Sequence, residues 1–486
     1  MNWWVLRRRP HVSWLIAIFC VALIIGLFLA RSLQIAFLGS VAILLFGLVI
    51  SLVALGWRYI YLVPLIVMGG IIIGLWRGSI HNNGLADIKI LYNHAVTISG
   101  RVTDDVDSAA DGQLTLRLSD LTYEERPISG SLWVSASSDS FDIRRSDRVT
   151  LSGKLSPGFG SFAGVIYRAT IVSVNRPQPG DVALQFRDWF SGGVRQAISD
   201  PASSLGIGYL VGQKKALPAS LIEALKIIGL THIVVASGYN LTILVRLARR
   251  LFEKLSKYLA TLIAGAMIVG FVAVTGLSPS MSRAGLVASL SLAAWYYGRR
   301  FHPMVLLPLA AAITVVINPS YLWGDLGWQL SFAAFAGVMI LAPLLQRYFF
   351  GEAKPGVIRQ ILGETISATI LTAPILVSAF GQISNVSLIA NLLVLPFVPL
   401  AMLLTFIAGL GALILPVGAT IIGYPATWLL NYMIWVADQL AKLPWAVTKI
   451  QLSGWIEAII YALIISLCVY LWRATHYNLA EANIIE

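Results

Sequence analysis

Between residues 229 and 244 an otherwise apolar run carries Thr231, His232, Ser237, Asn240 and Thr242. Two kinds of chemistry fit these residue types. A serine and a histidine can act as nucleophile and base when they lie within hydrogen-bond reach. On one continuous helix, five positions set Ser237 and His232 about 140° apart around the axis, so that pairing needs a break at Gly238. The second chemistry is hydrogen bonding alone. Ser237 and Asn240 are three apart and share a helix face. Polar groups at membrane depth are tolerated where they face protein or a watery cavity. A single Ser or Thr in such a helix can also bond its own backbone or glue a neighbour. The cluster, rather than any one residue, marks a candidate functional centre.

Further polar side chains interrupt later apolar runs. Arg283 enters one just after Ser280 and Ser282, and Asn391 lies within another. Asp325, between Trp323 and Trp328, precedes Gln329 and Ser331. Arg283 either faces a polar interior or snorkels to the interface. Asp325 can pair with Arg283 or cap a helix, and the cost of an unpaired buried acid favours pairing. Glu364 reads as a span end. The two cysteines, Cys20 and Cys468, lack metal-ligand spacing. We expect no metal site, no cofactor and no catalytic residue set.

The elements that must hold these groups follow from composition. The 486 residues are 57% hydrophobic and 12% charged, which predicts a polytopic α-helical membrane protein of about ten to twelve spans. Three spans fall near 13–30, 33–56 and 60–76. Arg7, Arg8 and Arg9 before them predict a cytoplasmic N-terminus, with Trp3, Trp4 and Trp14 at the interface. An odd number of crossings then places the next segment outside. There the period changes to two, over 95–102, 113–118, 128–136, 147–155 and 165–174. Five short strands predict an inserted small all-β, OB-like extracytoplasmic domain. Its ten acids against eight bases, over 94–174, argue against a strong phosphate-binding surface. Residues 181–200 read as an amphipathic helix, with Leu184, Trp189 and Phe190 near the bilayer surface.

After residue 205, basic loops alternate with uncharged ones. Arg246, Arg249, Arg250, Lys254 and Lys257 form the first, Arg299 and Arg300 the second, and Arg347, Lys354 and Arg359 the third. That alternation places all three in the cytoplasm. Spans are expected near 259–276, 284–297, 304–317, 331–345 and 364–380. The stretch 385–411, with Pro396 and Pro399, should be bent or re-entrant. The last spans lie around 413–423, 425–440 and 455–472. The expected divisions are 1–76, an anchor of about three helices; 77–180, the β domain; 181–204, the amphipathic helix; 205–472, the main membrane domain; and 473–486, a tail.

Several patches, in order, resemble the ComEC family of competence proteins, the inner-membrane channels for DNA uptake. Gly229-Leu230-Thr231-His232 through Ser237-Gly238-Tyr239-Asn240 resembles the family's Gly-Leu-x-His-x-x-x-x-Ser-Gly-x-His. Gly276-Leu277-Ser278-Pro279-Ser280 with Arg283-Ala284 is a second patch. Asn318-Pro319 followed by Gly327-Trp328-Gln329-Leu330-Ser331-Phe332 is a third. Phe380-Gly381-Gln382 leading to Asn391-Leu392 and Pro396 is a fourth, and Pro157-Gly158-Phe159 resembles the turn that leaves the family's OB-like domain. Asn240 stands in place of the second histidine; it keeps hydrogen bonding and cannot titrate. Many members end in a metallo-β-lactamase-like domain. Here no His-x-His-x-Asp-His run occurs, so a nuclease within this chain is not expected.

The resemblance implies a channel that passes single-stranded DNA into the cytoplasm during natural transformation, in the bacterial cytoplasmic membrane. Such a route needs cationic and polar walls with aromatics. We expect His232, Ser237, Asn240, Ser280, Arg283, Asp325, Gln329, Ser331 and Asn391 to line it, with Arg283 offsetting phosphate charge. No Walker-type run occurs. The implied partners, besides single-stranded DNA and the lipid bilayer, are a cytoplasmic ATPase and an extracytoplasmic DNA receptor, with room for a separate nuclease. Two other readings stay open: an intramembrane serine hydrolase using Ser237 and His232, and a small-molecule transporter, which would predict inverted repeats.

Overall fold

The computed structural model describes residues 10–33, 35–108, 113–137, 142–213, 217–234, 238–276, 279–298, 302–353 and 355–477. Expectations that fall on Trp3, Trp4, Arg7, Arg8, Arg9, Ser237, Leu277, Ser278, Arg299, Arg300 and Lys354 lie outside them. In chain order the elements begin with α1 (Val12–Ser32), α2 (Val41–Trp57), α3 (Val63–Gly84) and α4 (Ala86–Ile90). The strands follow: β1 (Ala95–Val102), β2 (Asp107–Ser108), β3 (Gln113–Tyr123), β4 (Arg126–Ile128), β5 (Leu132–Ser137), β6 (Arg148–Pro157) and β7 (Gly164–Asn175). Next come α5 (Val182–Ala197), α6 (Ala202–Val211), α7 (Ala219–Ile227), α8 (Thr231–Val234), α9 (Gly238–Phe252), α10 (Lys257–Thr275) and α11 (Pro279–Tyr296). Then α12 (Pro303–Ile317), α13 (Tyr321–Gly324), α14 (Leu326–Ala336), α15 (Ala342–Phe350) and α16 (Val357–Phe380). The chain closes with β8 (Gln382–Ser384), α17 (Ser387–Val394), α18 (Val398–Ile414), α19 (Ala419–Ala441), β9 (Val447–Lys449) and α20 (Gly454–Thr475). Two units result: Met1–Asp181 with Met304–Trp328, and Val182–Pro303 with Gln329–Glu486.

In the first unit, α1 and α3 pack with their backbones in near contact. A Cβ on Gly74 would lie 2.2 Å from the Leu23 carbonyl oxygen, and one on Gly26 would lie 2.2 Å from that of Ile71. Small residues permit this approach where no hydrophobic effect drives helices together. The strands β1, β6, β7, β5 and β3 are neighbours in that order, and β1 also pairs with β3, so the five close on themselves. The β5–β7 pair is parallel and the other pairings are antiparallel. Burial alternates along β1, with Val96, Ile98 and Val102 inside, as the period of two requires. Leu116, Leu118, Leu132, Val134 and Leu151 complete this core, joined by Ile88 of α4. Burial and ion pairing meet at Asp147, only 2% exposed, which accepts from Arg176 Nη2 at 2.9 Å and the Arg144 amide at 2.8 Å.

In the second unit, α6 is buried along its whole length. It shares a core with α5, α17, α18 and α19. Helix α5 is the expected amphipathic helix, but Leu184 and Phe190 lie on its inward face: both are buried, and Phe190 stacks obliquely on Phe406 of α18 with ring centres 6.0 Å apart. Trp189 and Phe186 keep the exposed face. A second cluster joins α9, α10 and α11 through Leu241, Val245, Ile268 and Leu292.

Seven helical stretches among the described residues are long and apolar enough to cross a bilayer: Val12–Ser32, Ile60–Ile90, Lys257–Thr275, Leu326–Phe350, Ile358–Phe380, Ser387–Ile414 and Gly454–Thr475. Val41–Trp57, Ala202–Val211 and Pro303–Ile317 are apolar but shorter. Large apolar side chains such as Leu52, Val269, Leu403 and Leu463 stand exposed on these helices, as lipid contact requires. The protein is a multi-pass helical membrane protein. Other expected spans, such as 33–56 and 304–317, are the shorter apolar helices. The pair of spans expected at 413–423 and 425–440 does not form. Instead α18 ends at Ile414, and α19 continues through Pro425. As the seventh residue of α19, Pro425 lies past the first turn and forfeits the bond an amide there would donate to the Ile421 carbonyl, which a membrane helix tolerates where neighbours satisfy the freed carbonyl.

Candidate functional site

The described residues of the central stretch form α8, to Val234, and α9, from Gly238. A Cβ on Gly238 would lie 3.2 Å from Cβ of Ala284, so the first turn of α9 abuts α11 one residue from Arg283. The stretch begins at Gly229, held at φ +76°, where a side chain would be strained. A Cβ there would lie 3.0 Å from that of Ser387. Asn391 is one turn further along the same helix, α17.

Arg283 is 4% exposed and Phe332 8%. The guanidinium carbon of Arg283 lies 5.2 Å from the centre of the Phe332 ring, and Nη2 donates to Ser280 O at 3.2 Å and Ser280 Oγ at 3.0 Å. Three residues' separation on α11 brings Ser280 beneath the guanidinium. The ring face attracts the cation by about 0.5–2 kcal/mol, with the larger value in dry surroundings. Gln329 and Ser331 precede Phe332 on α14, each half-buried.

Asn240 is fully buried, and its Nδ2 donates to the Tyr209 carbonyl at 3.0 Å. That carbonyl is in the last turn of α6, where intrahelical partners run out. Thr242 Oγ1 donates to Gly238 O at 2.8 Å, the ordinary backbone bond of a helical threonine. His232 Nδ1 donates to Gly229 O at 3.0 Å, leaving Nε2 of a neutral ring as an acceptor. His232 is exposed. Asn391 is 6% exposed, and its Oδ1 finds no hydrogen-bond partner among the described residues.

Asp325 realises the capping alternative. Its Oδ1 accepts from the Trp328 amide at 2.6 Å, three residues on, as an N-cap does. Trp328 Nε1 donates to Thr314 Oγ1 at 2.9 Å. Both contacts belong to the first unit, whereas Ser280, Arg283, Gln329, Ser331, Asn240, His232 and Asn391 belong to the second. Ser280 and Arg283 come together with Phe332, and the start of α9, two residues before Asn240, adjoins them. Sequence reasoning missed Phe332 and the Tyr209 carbonyl as partners. An arginine pairing with an aromatic on another helix leaves no spacing to read.

The arrangement offers one buried cation, amide and hydroxyl groups and an aromatic face. Among the described residues, no group of three or more His, Cys, Asp or Glu side chains could hold a metal ion.

No solved structure matches the chain. Over 213 residues, 43% of this chain, it is 25% identical to ComE operon protein 3 of Bacillus subtilis (strain 168). The matched stretch spans 26% of that relative's length. The family model described as Competence protein matches residues 209–474, more than half of the chain and the whole of the region that carries α8, α9, α11 and α14. On that match the chain belongs to the competence protein family.

Proposed function

We propose that this protein takes part in DNA uptake during competence by passing single-stranded DNA through the bacterial cytoplasmic membrane. The observation that carries the reading is Arg283, a buried cation within apolar helices, set on an aromatic ring and beside hydroxyl groups. A charge in such a place is expensive to keep, so it marks a functional site by default. A polyanionic strand requires a cation for its phosphates and flat or hydrogen-bonding groups for its bases. His232, Ser237, Asn240, Ser280, Gln329, Ser331 and Asn391 would supply the latter, with Asp325 fixing the start of α14.

Residues 205–472 would form the channel. Residues 77–180 would be an OB-like domain outside the cytoplasm, with the N-terminus inside. The closed five-strand order and the parallel β5–β7 pair support an OB barrel. Energy would come from a cytoplasmic ATPase, and DNA would arrive by way of an extracytoplasmic receptor. The test is uptake of labelled DNA by cells carrying Arg283→Ala or His232→Ala, with the membrane level of each variant measured. Lost uptake at normal abundance is expected, and normal uptake in both variants overturns the site. Ser237→Ala milder than Arg283→Ala is expected of a channel; the reverse order favours a hydrolase.

A further inference from the structure

A cavity of about 250 Å³ lies within the first unit. Arg31, His81, Asn82, Lys89, Ser320 and Trp323 line it, with residues 160–163 of the β6–β7 turn forming one wall. The charge on this lining is of one sign: two cations and no carboxylate. Neither Arg31 nor Lys89 makes an ion pair among the described residues. The other polar groups are fixed. His81 Nε2 lies 2.9 Å from Ser320 Oγ, and Asn82 Nδ2 donates to Ala30 O at 2.8 Å. The Arg31 guanidinium carbon lies 5.8 Å from the Trp323 ring centre. The wall is pinned by a backbone contact that only glycine permits, since a Cβ on Gly324 would lie 2.1 Å from Gly160 O.

Depth identifies the occupant. Arg31 is in the last turn of α1 and His81 in the last turn of α3. Both helices belong to stretches able to cross a bilayer. Ser320 follows the end of α12, and Lys89 lies beyond α3 toward the strands. Helix ends of this kind sit at the level of the lipid headgroups, where tryptophan and cations also collect. A preformed pocket with two cations, an imidazole, an amide and a hydroxyl suits a phosphodiester oxygen cluster. We propose that this cavity binds the phosphate of an anionic phospholipid headgroup, tying the junction between the N-terminal helices and the β strands to the membrane surface. The inference rests on the membrane reading and not on the DNA route, so the two fail independently.

The test uses the full chain, purified in detergent and mixed with phosphatidylglycerol or phosphatidylcholine, with retained lipid measured by native mass spectrometry. Wild type is expected to retain phosphatidylglycerol preferentially. Each lost cation is expected to weaken retention about fivefold, and R31Q/K89Q about thirtyfold, since a basic residue near an anionic headgroup contributes about that much. K89R, which keeps the charge, should retain wild-type binding. Lys89 is exposed, so K89Q alone tests the site if the double variant does not fold. Unchanged retention in K89Q and the double variant overturns the proposal. Two further arms use inorganic phosphate and a thymidine oligonucleotide as competitors. Displacement of the lipid by either, dependent on Arg31 and Lys89, overturns the lipid assignment.

Discussion

The Arg283 guanidinium rests 5.2 Å from the centre of the Phe332 ring, both side chains buried in the helical unit. Two consequences separate function from stability here. A buried cation contributes little to folding, because desolvation offsets its contacts. Arg283→Ala should therefore leave membrane abundance at or above wild type while DNA uptake is lost. Phe332→Leu keeps apolar bulk and removes the ring face. Uptake should fall by about twofold to thirtyfold, the range covered by 0.5–2 kcal/mol of cation–ring attraction. Labelled-DNA uptake against immunoblotted membrane protein checks both.

Asn240 predicts the opposite balance. Its amide serves the Tyr209 carbonyl in a fully buried setting. Asn240→Ala should cost about 1–3 kcal/mol, the penalty of leaving a buried acceptor unserved. Thermal unfolding in detergent should show a lowered midpoint. A midpoint equal to wild type would remove that bond from the account.

Asp325 caps α14 through the Trp328 amide. Asp325→Ala should lower stability by about 0.5–2 kcal/mol, while Asp325→Asn or Asp325→Ser should recover most of it. Recovery by asparagine separates capping from charge pairing, since only pairing needs the carboxylate's charge.

Gly74 lets α3 touch α1. Gly74→Ala would press a methyl group to 2.2 Å from the Leu23 carbonyl oxygen. The helices must part, at about 1–3 kcal/mol for such overpacking. Membrane abundance and thermal midpoint should both fall, whereas Gly56→Ala, which meets nothing within 4 Å, should match wild type.

Acid should expose the turn between α5 and α6. Burial pushes the Asp200 carboxyl up, but donated bonds from Ser203 and Ser204 and the charge of Arg195 outweigh it, holding the group below its ordinary value. Ser204 Oγ donates at 2.6 Å. A carboxyl lowered in the folded state stabilises fully above its unfolded value, about pH 4, and loses that contribution as pH falls through the folded value. Wild-type midpoints should drop more steeply than those of Asp200→Asn below about pH 4. Parallel curves would show that Asp200 does not contribute.

Much of the architecture could be read from residue patterns. Strand β1 occupies residues 95–102, where alternation predicted it. The alternation is legible because one face of a strand must be apolar and the period is two. The approach of Gly70 and Gly74 to Phe19 and Leu23, by contrast, depends on how α1 lies against α3. Helix ends were less legible. Pro425 looked like a boundary and instead sits inside α19, because whether neighbours satisfy the carbonyl a proline frees is decided by packing and not by local sequence.

What the sequence determined by itself was the solvent of each segment. Runs of apolar residues can only be satisfied by lipid or by other helices, and alternating runs need a one-sided core. It also singled out the polar residues, since each is costly in such a run. Only the tertiary structure decided the distant partners: Phe332 for Arg283 and the Tyr209 carbonyl for Asn240. The reason is range. Burial and period act over a few neighbouring residues, whereas a cation meets a ring, or an amide a carbonyl, only after helices distant in the chain have packed.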